Sequence, residues 1–182
     1  MQTSTLTDHT SIPRQIAFLL AGVGVLTASS YVAVPMVPVP VTMQTLAVLL
    51  VGAVAGPRMG LAMIVSWLGL AATGLPVLAG GKAGLLAFTG PTAGFLLAFP
   101  VAGFLAGVMT QTLARGHISR ALSFLGLHGL ILMAGWAWLA TLVGAEAAFT
   151  AGVAPFLVGA VIKSALGAAV LAAIPARWRA AR

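Results

Sequence analysis

Cysteine is absent from this 182-residue chain, which excludes disulfides, thiol catalysis and Cys-ligated metals. Acidic residues are almost absent too. Asp8 and Glu146 are the two in the sequence, so paired-carboxylate catalysis and a carboxylate proton relay lack material. The histidines His9, His117 and His128 are scattered, and neither a metal cluster nor any cofactor is expected. Charge of any sign is scarce. Only 6% of residues are charged and 60% are hydrophobic, whereas a soluble domain carries about 25% charged residues to face water. Such a chain cannot cover itself with a solvated surface, and it fits a lipid-embedded bundle.

The charge that is present, a formal +7, would suit a polyanion if it clustered on one face. Instead Arg14, Arg58, Arg115, Arg120, Arg177, Arg179 and Arg182 stand singly or in short groups at the ends of apolar runs. That pattern marks cytoplasmic loops and excludes nucleic acid as the partner. Ala28-Ser29-Ser30 could pass for a signal-peptide cleavage site, but the following segments are equally apolar, so a retained first helix is expected.

The fold class read from this pattern is an all-α integral membrane protein of six transmembrane helices in one domain. After a tail at 1–13, the helices are expected at about 14–34, 42–55, 59–74, 91–113, 119–143 and 152–174, since a span needs about 20 apolar residues. Pro35, Pro38 and Pro40 make the first connection extended. The Gly- and Pro-rich stretch 75–94 is too irregular for a span and must be buried in protein or line a cavity. All seven arginines then lie on one side, against Lys82 and Glu146 on the other. The excess predicts that both termini are cytoplasmic. Small residues four apart, such as Ala17 and Ala21 or Gly103 and Gly107, let helix backbones approach closely in lipid.

Lys163 lies near the middle of the last helix, with no acidic residue within two turns. A charge at that depth costs from about 2.5 to well over 10 kcal/mol. It either snorkels or bonds backbone carbonyls, or it awaits an anionic ligand; the ligand reading is preferred. Thr42, Gln44, Lys82 and Thr92 fall toward the same outer half, and Trp67, Phe95, Trp136 and Trp138 could wall a pocket. The result is a mostly apolar site with a few placed polar groups and one cation. Gly80-Gly81-Lys82 fails as a phosphate loop, because Pro76 and Ala83 occupy the required glycine and hydroxyl positions. The chain is not expected to bind ATP. His128 reads as a helix-to-helix hydrogen-bond donor.

The stretches Val37 to Leu46 (VPVPVTMQTL), Ala55 to Gly60 (AGPRMG), Gly74 to Gly81 (GLPVLAGG), Gly90 to Phe99 (GPTAGFLLAF) and Pro155 to Lys163 (PFLVGAVIK) resemble the BioY family, the substrate-capture (S) components of bacterial energy-coupling-factor (ECF) biotin importers. The resemblance covers most of the chain. It implies an S-component-like bundle that binds biotin near the outer face, with Lys163 meeting the vitamin's carboxylate. It adds Gly81 and Gly90 to the site. It implies that Ala17 and Ala21 dock on a transmembrane coupling (T) subunit, which works with separate ABC ATPase subunits in the bacterial inner membrane. The chain itself is then a transport subunit and not an enzyme. Two positions depart from the family pattern: Ala160 replaces an aspartate and Phe95 a tyrosine, each removing a polar contact. The rival expectations are an S component for another small anionic vitamin, a membrane-embedded transferase, and a structural membrane protein.

Overall fold

Proline and glycine set the boundaries of the elements. In the computed structural model, which describes residues 12–113 and 116–175, α1 (Ile12–Tyr31) stops short of Pro35. A residue before proline is pushed to extended backbone, and here Ala33–Val34 form a strand, β1. It pairs antiparallel with β2 (Val41–Thr42). The chain then enters α2 (Gln44–Ala55), turns at Gly56, and begins α3 (Pro57–Ala72) with proline in its first turn, where a missing N–H costs nothing. Two 3₁₀ turns (Ala79–Gly81 and Leu85–Phe88) carry the chain to α4 (Ala93–Thr112), followed by α5 (His117–Val143), α6 (Ala145–Gly152) and α7 (Ala154–Ala173). Gly80 and Gly81 both adopt positive φ, 66° and 70°, a reversal that residues with a Cβ rarely make.

This corrects the sequence-based expectation in two places. The described residues form seven helices, because the expected 5–6 connection contains α6. The first helix ends at Tyr31 rather than Val34, its last turn being replaced by the strand before proline. Arg120 lies in the first turn of α5, within the helix expected at 119–143, and is buried. Arg115, Arg177, Arg179, Arg182, His9 and Asp8 lie outside the described residues.

Four helices, α1, α4, α5 and α7, are long and apolar enough to cross a membrane. At 1.5 Å per residue, α2 with 12 residues rises only about 18 Å, well short of a hydrocarbon core of about 30 Å. Helix α4 is the centre of the bundle and packs against α2, α3 and α5, while α7 lies on α5 and α2, and α1 on α3 and α2. Along α7 the buried positions Ala160, Lys163, Ser164, Gly167, Ala168 and Leu171 form one helical stripe. Its other faces expose Leu157, Val158, Val161, Ile162 and Leu166, a surface suited to lipid acyl chains and not to water.

A close helix approach uses glycine. A Cβ placed on Gly52 of α2 would collide with the carbonyl group of Gly103 on α4. Backbone cannot swing aside as a side chain can. We expect Gly52→Val to destabilise the detergent-solubilised protein by about 1–3 kcal/mol or more, read as a lowered melting temperature. Gly24→Ala, where a Cβ meets nothing within 4 Å, should leave that temperature unchanged.

Candidate functional site

The ends of α1, α3 and α5 and the starts of α2, α4 and α7 meet at one end of the bundle, where indole and phenol groups fasten the irregular backbone. Trp67 Nε1 donates to the Val77 carbonyl at 3.1 Å, Trp138 Nε1 to Gly90 at 2.9 Å and Trp136 Nε1 to Ala145 at 3.1 Å. The Tyr31 hydroxyl donates to the Pro76 carbonyl. Buried loop carbonyls need such partners where water is excluded.

Beneath these loops lies a cavity. The first connection closes it with Val39 and Pro40, and the 3–4 connection with Leu78, Ala79 and Lys82. Phe95 and Phe156 stack across its wall with centroids 6.2 Å apart. Leu96, Phe99 and Leu132 complete the apolar lining, and Thr42, Gln44, Thr45, Thr92 and Lys163 supply polar atoms. The cavity gives about 50 Å³ to the centre of a water-sized sphere, within about 580 Å³ of interatomic space that opens at the mouth. At roughly 10–15 Å³ per water, the tighter measure admits a few waters. A vitamin-sized ligand therefore requires the two covering connections to part.

Lys163 is 9% exposed. Its Nζ donates to the Thr42 carbonyl at 2.6 Å and to Thr45 Oγ1 at 3.4 Å. The ammonium thus holds a backbone carbonyl, the alternative that the sequence left open beside a ligand. The charge remains unneutralised, because Glu146, the one acid among the described residues, sits on α6 and makes no ion pair with it. An ammonium has three donors, and these two bonds leave one of them over.

Gln44 belongs to the same network. Its Nε2 donates to Ser30 Oγ at 3.0 Å, its Oε1 accepts from Thr42 Oγ1 at 3.0 Å, and Ser30 Oγ donates to the Leu26 carbonyl at 2.8 Å. This chain joins α1, the first connection and α2, and Lys163 adds α7.

Of the residues singled out from sequence, the structure brings Lys163, Gln44, Thr42, Lys82, Thr92 and Phe95 to one cavity. Lys82 is exposed. Trp67 is fully buried behind the lining, stacked on Phe99 at 6.1 Å. Gly81 and Gly90 shape the 3–4 connection without lining the cavity, and Trp136 and Trp138 are fasteners rather than walls. Ala17 and Ala21 are exposed on α1, far along the helix from the cavity, and Ala21 borders an apolar groove with Leu50, Val54 and Val170. Sequence reasoning missed Thr45, Phe99 and Phe156. Phe156 was within reach, since it precedes Lys163 by two helical turns and so shares its face. Among the described residues, no three His, Cys, Asp or Glu side chains gather to hold a metal.

The pattern of the BioY family matches residues 1–180. The chain belongs to the BioY family. It is 38% identical over 152 residues to the "Probable biotin transporter BioY" of Pyrococcus horikoshii, covering 84% of this chain and 90% of that protein. It is 38% identical to the "Biotin transporter BioY" of Rhodobacter capsulatus over 147 residues, with 71% and 77% covered. The fold of this BioY-family chain matches the crystal structure of "the S-component for biotin from an ECF-type ABC transporter" with a TM-score of 0.77. That match is 22% identical and covers 89% of this chain and 92% of that one.

Because Lys163 holds the Thr42 carbonyl, Lys163→Met should loosen the junction of β2 and α2. Amide hydrogen exchange at residues 41–45 should accelerate while the helical content stays the same. Unchanged exchange there would show that the lysine does not tether the connection.

Proposed function

We propose that this chain is the substrate-binding S component of an ECF-type importer and takes up biotin across the cytoplasmic membrane. The observation that carries the reading is a lid-covered, largely apolar cavity, in a BioY-family chain, whose floor holds an ammonium with a donor to spare. Biotin pairs an apolar body with a carboxylate and a ureido ring, and the cavity pairs apolar walls with Lys163, Lys82, Gln44 and the hydroxyls of Thr42, Thr45 and Thr92. The likeness to named biotin transporters from two organisms supports biotin over another anionic vitamin.

The energy for transport comes from elsewhere. The sequence has no phosphate-binding loop, so ATP hydrolysis belongs to partner ATPases, coupled through a transmembrane T subunit. The exposed Ala17 and Ala21 on α1, beside the apolar groove of α2 and α7, suit close packing against another helix in lipid. Arg14, Arg58 and Arg120 mark the bundle end opposite the cavity, which supports cytoplasmic termini and a cavity that opens outward.

Labelled biotin should bind the purified protein, and Lys163→Ala should weaken it by about 1.5–3 kcal/mol, roughly 10- to 100-fold in Kd. Equal affinity in both proteins would remove Lys163 from the site, and a vitamin panel in which another compound alone raises the melting temperature would remove biotin. Ala21→Trp should leave biotin binding intact and abolish uptake by cells that also make the coupling subunits. Normal uptake would place the docking surface elsewhere.

A further inference from the structure

Beside Lys163 the main cavity adjoins a smaller one between α2, α5 and α7. The two share Thr45, Leu132, Phe156 and Lys163, and the smaller one is completed by His128, Ile131 and Ala160. It gives about 10 Å³ to the centre of a water-sized sphere, the room of a single small polar group. His128 is 2% exposed, and its two ring nitrogens are in different situations. Nδ1 lies 2.9 Å from the Phe124 carbonyl oxygen and 3.0 Å from Ser164 Oγ. The Ser164 hydroxyl already donates to the Ala160 carbonyl at 2.7 Å. Both neighbours of Nδ1 therefore accept, so Nδ1 carries the proton and Nε2 presents a lone pair. That lone pair has no hydrogen-bond partner, the one such buried side-chain atom among the described residues. A buried acceptor without a donor is costly, and nothing in helix packing requires one here.

We propose that His128 Nε2 is a specificity-determining acceptor for an N–H group of the ligand, working side by side with the donor of Lys163. A donor next to an acceptor is the complement of an amide or urea edge, in which C=O and N–H lie next to each other. A carboxylate in the same place would satisfy Lys163 but set a second lone pair against Nε2. The inference rests on the biotin reading above: the ureido ring, not the carboxylate, occupies this end, with its carbonyl on Lys163 and one N–H on His128. The carboxylate then lies toward Lys82, the other cation that borders the cavity. This reverses the direction that the family resemblance implies for Lys163. It also gives the site an acceptor on α5 where α7 offers only Ala160.

The test uses the full chain with H9Q and H117Q and with ¹⁵N-labelled histidine, so that His128 gives the imidazole signals. Adding biotin should shift the unprotonated Nε2 resonance. A cyclic-carbonate analogue of biotin, with oxygen in place of both ureido N–H groups, should leave it in place and bind at least about tenfold more weakly. His128→Phe should weaken biotin by a similar factor while leaving the affinity of the carbonate analogue unchanged, so that the discrimination disappears. If that variant does not fold, the resonance of the unaltered His128 decides the matter. Biotin that binds without moving the Nε2 signal would overturn this inference alone. A chain that binds no biotin would overturn the proposed function and this inference with it.

Discussion

A charged nitrogen inside a bilayer must find oxygen, and so must every backbone group that leaves a helix there. In this protein the two demands are met together. The Lys163 ammonium takes the Thr42 carbonyl at 2.6 Å, a carbonyl at the junction of strand and helix. The lysine reaches it because α2 has only 12 residues. A position midway along α7 is thereby level with the N-terminal end of α2, and the depth that α2 does not fill becomes the cavity. The short helix, the buried cation and the cavity are one arrangement.

The first covering connection has its β1–β2 pair and the 3–4 connection two 3₁₀ turns, and Trp67, Trp138 and Tyr31 satisfy further carbonyls of the 3–4 connection from the helices below. Each of these is a single side-chain bond to a loop carbonyl, unlike a ladder of strands. Contacts at the bundle centre are made by glycine backbone instead. Where α2 meets α4 at Gly52 and Gly103, the backbones touch with nothing compressible between them, which fixes the helices that carry the site. The cover and the bundle centre thus differ in what makes their contacts.

Much of this was legible in the chain. Scarcity of charge, apolar runs broken by proline and glycine, and a lone lysine within the last run determined a membrane bundle and pointed to Lys163, because the cost of burying charge and unpaired backbone is a property of the residues themselves. The family followed from stretches spread over most of the sequence. The seventh helix was not legible, since Ala145–Gly152 has too few residues for a period to stand out from a connection. Nor were the roles of Trp67, Trp136 and Trp138, for an indole that lines a pocket and one that fastens a loop have the same composition and differ only in what lies opposite.

The partners were decided by the tertiary structure. That Lys163 meets Thr42, 121 residues away in the chain, and that His128 lies across from Ala160 and Lys163 depend on how α2, α5 and α7 are rotated and staggered. Sequence determined which groups could not be left bare in lipid, because solvation acts on each residue separately. Which atoms cover them, and which stay without a partner, only the packing of helices settled, because a hydrogen bond needs two groups brought within about 3 Å.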